Sequence, residues 1–147
     1  MTSSTYSTIC DNTQSTIRNI LAADSNIVAS ETKVIDGGLH DLLKGRGTDV
    51  IMVHTPTISE EIMTRTKYKI IITLHIEIIA FTEGVCRNLT DYVHASLFSN
   101  QNTTRAAMLF RYRCRRSGLA IADMPTQTGK RTFYTVSLYP EYEYRGD

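Results

Sequence analysis

No run of about eighteen consecutive apolar residues occurs in this 147-residue chain, so no membrane-crossing helix is expected. The opening residues, MTSSTYSTICDN, have neither the basic start nor the apolar stretch of a signal peptide, and no secretory leader is expected. Cysteine is scarce. Cys10, Cys86 and Cys114 lie far apart and are odd in number, which argues against a disulfide framework and for reduced thiols in a cytoplasmic setting. There is little net charge, +1, so no overall field draws the chain to nucleic acid or membrane. Internal repeats and low-complexity blocks are also missing, despite abundant Ser and Thr. Residues 1–147 are therefore expected to form one ordered domain with a true core.

Complete chemical motifs are missing too. His75-Ile76-Glu77 has the H-x-E spacing of zinc deaminases, but the P-C-x-x-C partner is absent, and a structural role on the wetter face of a strand is the better account. His40, His54, His75 and His94 show no ligand spacing with each other or with cysteine. Gly45-Arg46-Gly47-Thr48 is too short for a phosphate loop. Cys86 sits near a helix start, where a thiol can be activated, but it falls on an apolar stripe and reads as a buried, inert group. Asn88-Leu89-Thr90, Asn102-Thr103-Thr104 and Arg145-Gly146-Asp147 match sequons and an adhesion tripeptide by letters alone. No catalytic, cofactor-binding or metal-ligating residue is expected, no cofactor, and no enzyme.

What is present is a long alternating segment, Lys67 to Phe81, KYKIIITLHIEIIAF. Tyr68, Ile70, Ile72, Leu74, Ile76, Ile78 and Ala80 share one face. Lys67, Lys69, Ile71, Thr73, His75, Glu77, Ile79 and Phe81 share the other. A two-residue period rich in β-branched side chains marks a half-buried strand, here an unusually long one, with its first face on a core.

Around it, residues 5–23 read as an amphipathic helix through Tyr6, Ile9, Cys10, Ile17, Ile20 and Leu21, started by Ser3 or Ser4 and ended at Asp24-Ser25-Asn26. Lys33–Asp36 and Val50–His54 read as strands, separated by a glycine-rich loop and closed by Pro56. The link 57–65 reads either as a projecting arm or as the extension of a hairpin. Residues 85–98 form a second helix, capped by Thr82 or Glu83. In 105–116, RAAMLFRYRCRR, the first half reads as helix, between a Thr103 cap and a Gly118 stop. Phe110, Tyr112 and Cys114 alternate with arginines, and the second half stays open between helix and strand. Leu119–Ala122 is a strand candidate, 125–130 a turn, and 131–139 the last strand, with Pro140 at an edge or a bend. The order α-β-β-β-α-(α)-β-β gives an α+β fold, a mainly antiparallel sheet of four to five strands with two or three helices packed on it.

Arg105, Arg111, Arg113, Arg115 and Arg116 are the strongest charge feature. They read first as solvated or subunit-contact groups, with Glu141 and Glu143 as pairing partners within or between subunits. The competing reading is a nucleic-acid-binding module, although no RNA-recognition signature accompanies them.

The layout carried by KIIITLHIEIIAF, VCRNLTDYVHASLF and RTFYTVSLYPEYEY resembles the tail terminator, or tail completion, proteins of long-tailed viruses. The resemblance implies a structural virion protein at the head-proximal end of the tail, assembled in the host cytoplasm. It implies a homo-oligomeric ring, usually a hexamer, that caps the tail tube protein, stops its elongation and offers a docking surface to the head-tail connector. DNA would pass through the lumen without sequence readout, and no membrane is involved. Closing a ring needs two different patches of one subunit to meet. The candidate contact residues are Ile58, Glu60, Glu61, Met63, Ile71, His75, Glu77, Phe81, Arg111, Arg113, Arg115, Glu141 and Glu143.

Overall fold

The computed structural model describes residues 6–37, 49–62, 68–126 and 129–145. The long alternating segment forms two strands, β4 (Tyr68–Thr73) and β5 (Ile76–Ala80), parted at Leu74-His75. Both pair antiparallel with the last strand, β8 (Gly129–Tyr144). Pairing runs from Ile70↔Tyr144 to Thr73↔Glu141 and resumes from Ile76↔Leu138 to Ala80↔Tyr134 without a slip. The two strands are therefore one ribbon with a local break, and the break lies opposite Pro140. Leu74 N–H donates to the Pro140 carbonyl (2.8 Å). Pro140 has no N–H to return the bond. Expected at an edge or bend, Pro140 instead lies inside the sheet, between Leu74 and Cys114 of β6 (Leu109–Arg116).

The other strands line this central pair. On one flank, β2 (Val50–Val53) pairs with β5, and β3 (Thr57–Ile62) pairs with β4. Pairing passes from Val53↔Ile76 to Thr57↔Thr73, a one-residue slip around Pro56. On the other flank, β6 and β7 (Ala120–Thr126) both pair with β8. Outside β2, β1 (Lys33–Asp36) runs parallel to it, so the sheet is mixed but mostly antiparallel. Among the described residues eight strands replace the four to five expected, because 57–62 and 109–116 are strands and the long ribbon is parted at Leu74-His75. Of the two readings for 57–65, hairpin extension describes 57–62, which is β3, and 63–65 lie outside the described residues. The ribbon that runs past its neighbours is the β7–β8 hairpin. Among the described residues, 129–133 pair only with β7, and Ile121, opposite Tyr134 at the base of this projection, is 66% exposed.

Among the described residues, four helices complete the α+β fold. Helix α1 (Tyr6–Ala23) buries Ile9, Thr13, Ile17, Ile20 and Leu21, the stripe that a 3.6-residue period places toward the sheet. Asp24 does more than end it. Its carboxylate accepts the N–H groups of Asn26 and Ile27 and so starts a short helix, α2 (Ser25–Ala29), that the sequence did not disclose. Helix α3 (Glu83–Ser99) is capped by Thr82, whose hydroxyl accepts the Val85 N–H, and is slightly longer than the 85–98 expected. The helix read into the first half of 105–116 is corrected. Helix α4 (Gln101–Ala106) takes only Arg105 and Ala106 of that segment, Thr103 lies inside it, and β6 begins at Leu109. Met108 (φ 66°) turns the chain between them, and Arg111 (φ 56°) sits at a bulge between Phe110 and Arg113. The alternation of Phe110, Tyr112 and Cys114 outweighs the helix propensity because β8 offers β6 a ladder. Likewise 125–126 and 129–130, expected to be turn, are strand, and the last strand extends from 131–139 to 129–144.

Ile70, Ile72, Leu74, Ile76, Ile78 and Ala80 are all buried under the helices, as the alternation predicts. The buried apolar residues of α1, α2 and α3 join this one cluster. The opposite face holds a small cluster, Val50, Met52 and Ile79, flanked by Ile35 and Phe133. Tyr142 is fully buried, and among the described residues its hydroxyl has no hydrogen-bond partner.

Three substitutions check this core. Leu74→Ala is expected to cost about 2–5 kcal/mol, against a much smaller loss for His75→Ala on the other face. Tyr142→Phe is expected to match or exceed the parent by up to about 1 kcal/mol, because it removes a buried hydroxyl with no partner. Urea melts of the three variants measure both. Equal losses at positions 74 and 75 would contradict the register.

Candidate functional site

The face of the sheet turned away from the helices carries the polar side chains singled out in the sequence. Along a strand, alternate residues point to the same side, so His75 and Glu77 of the central ribbon share it with Tyr139, Glu141 and Glu143 of β8. His54, just past β2, faces His75, and its N–H donates to the His75 carbonyl (2.9 Å). Tyr139 lies across from His75 on β8, and Arg115 across from Tyr139 on β6. Directly opposed residues in antiparallel strands stand about 4.5–5.5 Å apart, close to the spacing of stacked rings. A row of flat groups results. The His54 and His75 rings stack with centroids 4.5 Å apart and an interplanar angle of 14°. His75 and Tyr139 stack at 5.0 Å, also at 14°, and the Arg115 guanidinium lies 5.7 Å from the Tyr139 centroid.

Hydrogen bonds fix the row. His54 Nε2 lies 3.2 Å from Glu77 Oε1, and His75 Nε2 lies 2.9 Å from Ser137 Oγ. Gly37 makes room for His54. A Cβ at position 37 would collide with the imidazole and come within 2.9 Å of the His54 Cα. The His75 pKa is held below its ordinary value, first by burial, then by the neighbouring His54, with Glu77 opposing. At neutral pH His75 is therefore an uncharged imidazole.

Farther along the same face, Glu143 is held by two arginines, Arg111 Nη1 at 3.5 Å and Arg145 Nη2 at 3.1 Å. Arg145 also lies over the Phe110 ring, 5.0 Å from its centroid. Arg113 is opposite Glu141 in the ladder, and Arg116 Nη1 reaches Asp91 Oδ1 on α3 at 3.9 Å. The exposed Arg116–Asp91 pair contributes about 0–1 kcal/mol, whereas the Glu143 carboxylate is only 11% exposed. The larger effect of these pairs is to place carboxylates beside most of the arginine cluster.

The sequence candidates thus separate. His75, Glu77, Arg111, Arg113, Arg115, Glu141 and Glu143 gather on one face of the sheet. Ile71 alternates onto that face and is half-buried. Ile58 packs instead against the helix-side core. Phe81 is half-buried past β5, with its N–H on Asp49 Oδ1 (3.1 Å). Glu60 and Glu61 lie in β3 opposite Ile70 and Lys69, and Met63 is outside the described residues. Cys86 is buried, and burial raises its thiol pKa, in keeping with an inert thiol. His54, Ser137 and Tyr139 were missed. Their only signal is register, since Val50, Met52 and His54 alternate onto one face, and nothing local says which strand that face will meet.

These features define an α+β protein with one mixed sheet, helices on one face and a stacked, charge-paired row on the other. No family model and no curated protein matches the sequence. The fold is similar to a chain in the solved structure titled "Virion of native gene transfer agent (GTA) particle". The TM-score is 0.52 and the identity 16%, with 97% of this chain and 100% of that one covered.

The lowered His75 pKa has a testable sign. Unfolded His75 takes up a proton near pH 6.5, before the folded residue does, so its contribution is complete above that value and is lost as pH falls through the folded pKa. Urea midpoints are expected to drop between about pH 7.5 and about pH 5.5, and His75→Gln to flatten that drop.

Proposed function

We propose that this chain is a structural virion protein that acts as a tail terminator. The observation that carries the proposal is the fold likeness to a virion-particle chain along nearly the full length of both. The layout resemblance of the central ribbon, α3 and the tyrosine-ended last strand points the same way. In this role the subunits close a homo-oligomeric ring, of six by the resemblance. The ring binds the last ring of tail tube protein and presents a different surface to the head-tail connector. A tube grows because each ring reproduces the surface that the next one needs. A terminator must match the tube on one side and fail to reproduce it on the other.

The subunit has parts suited to that task. The projecting β7–β8 hairpin with its exposed Ile121 and the β3–β4 hairpin lie at opposite ends of the ribbons. The exposed arginines of β6 lie along one flank. The ring is expected to close most readily on the tube, where each subunit gains a second partner. DNA would cross the lumen without readout.

The nucleic-acid-binding alternative rests on the same arginines and is the weaker one. Arg111 and Arg116 lie beside Glu143 and Asp91, and Arg115 over Tyr139, which dilutes the basic field that phosphate tracking needs.

Assembly without this protein is the test. Overlong tubes, or tails unable to join heads, are expected. Tails of normal fixed length that join heads would refute the role. A charge-reversed Arg113→Glu, Arg115→Glu variant is expected to fold, to associate less, and to leave overlong tubes. Strong DNA retention that falls steeply with salt in the parent and vanishes in this variant would favour the alternative.

A further inference from the structure

The sequence spacing of the histidines shows no metal site, yet the sheet brings three donors together. His54, His75 and Glu77 each offer a ligand atom, and those atoms lie within 4.8 Å of one another. We propose that His54, His75 and Glu77 form a binding site for a divalent transition-metal ion of the zinc class, on the helix-free face where β2 meets β5.

Geometry supports the site. His75 and Glu77 are two apart on one strand and project to the same side, and His54 is the residue facing His75 across the ladder. Three donors on two hydrogen-bonded strands are held by the backbone rather than by a loop, so little order has to be gained on binding. Ligand atoms about 2.0–2.2 Å from a tetrahedral ion lie roughly 3.3 Å from each other. His54 Nε2 and Glu77 Oε1 already stand at 3.2 Å. The imidazoles have only to turn about their side-chain bonds, out of the stack, until their lone pairs converge. Ser137 Oγ, on His75 Nε2, supplies the outer hydrogen bond that commonly orients a ligating imidazole through its second nitrogen. The donors are also partly shielded, with His54 and Glu77 side chains 22% and 25% exposed.

The donor set selects the ion. Two imidazoles and one carboxylate suit zinc, cobalt or nickel, whereas magnesium and calcium take oxygen ligands. Three protein donors leave one position of a tetrahedron for water or for a group from a neighbouring chain. The ion would tie β2 to β5 where regular pairing stops, beside the slip at Pro56 and the break at Leu74-His75. It would therefore stiffen the base of the β3–β4 hairpin. The inference does not depend on the terminator role, because it is read on the isolated subunit.

Titration of the purified, chelator-stripped full chain with zinc and with cobalt is the test. One ion per chain is expected, with a rise in melting temperature that chelator reverses and that magnesium does not reproduce. The cobalt form is expected to show visible d–d absorption without a thiolate charge-transfer band, which keeps Cys10, Cys86 and Cys114 out of the site. His54→Ala and His75→Ala, verified as folded by circular dichroism, should lose the ion. Ser137→Ala should weaken it about tenfold, and His94→Ala should leave it unchanged. No stoichiometric zinc on the parent chain, or zinc retained at full affinity by the His54→Ala, His75→Ala double variant, would overturn the proposal.

Discussion

The structure depends on the pairing of 68–80 with 129–144. That ladder keeps one register across Pro140, although proline removes a donor from the middle of it. A single lost bond is tolerated because the even-numbered residues from Ile70 to Ala80 are already buried on the helix side. Slipping the ladder by one residue would turn that whole row to solvent and bring His75 and Glu77 into the core. The cost of such a slip far exceeds the roughly 1 kcal/mol of a missing hydrogen bond. The remaining strands then have one choice of partner edge each.

Register also explains why the two faces differ so much. On the helix side the apolar stripes of α1 and α3 meet the even-numbered row, and nearly all the large buried side chains lie there. On the other side, among the described residues, no helix residue joins the small cluster of Val50, Met52 and Ile79. Next to it, imidazole, phenol and guanidinium planes lie over one another, and carboxylates sit beside arginines. Polar groups half-removed from water need partners. Here the partners come from strands far apart in the chain, which makes the row a consequence of the sheet rather than of any local motif.

The same arrangement tempers the basic character of β6. Seen as letters, Arg111, Arg113, Arg115 and Arg116 form a stripe that invites phosphate. In the fold, Glu143, Glu141, Tyr139 and Asp91 stand against them, and the bulge at Arg111 breaks the spacing of the stripe. A flank with paired charges and exposed guanidinium groups suits a specific protein contact better than a non-specific one, because opposite charges held in place also penalise a wrong partner.

By itself the sequence determined the α+β class, the two amphipathic helices, a cap at Thr82 or Glu83 and the buried face of the central ribbon. Each follows from a period or a capping pattern within some twenty residues of chain, where local geometry dictates which side chains share a face. Only the tertiary structure decided the rest. Phe110 to Arg116 became strand because β8 supplied a ladder, against a composition that favours helix. Pro140 entered the sheet interior because burial on its flanks outweighs one absent donor. His54, His75, Tyr139 and Arg115 met because four strands fell into register, and residues separated by dozens of positions carry no periodic signal of their meeting. Pairing between distant strands is a sum over the whole sheet, and no short window of the chain contains that sum.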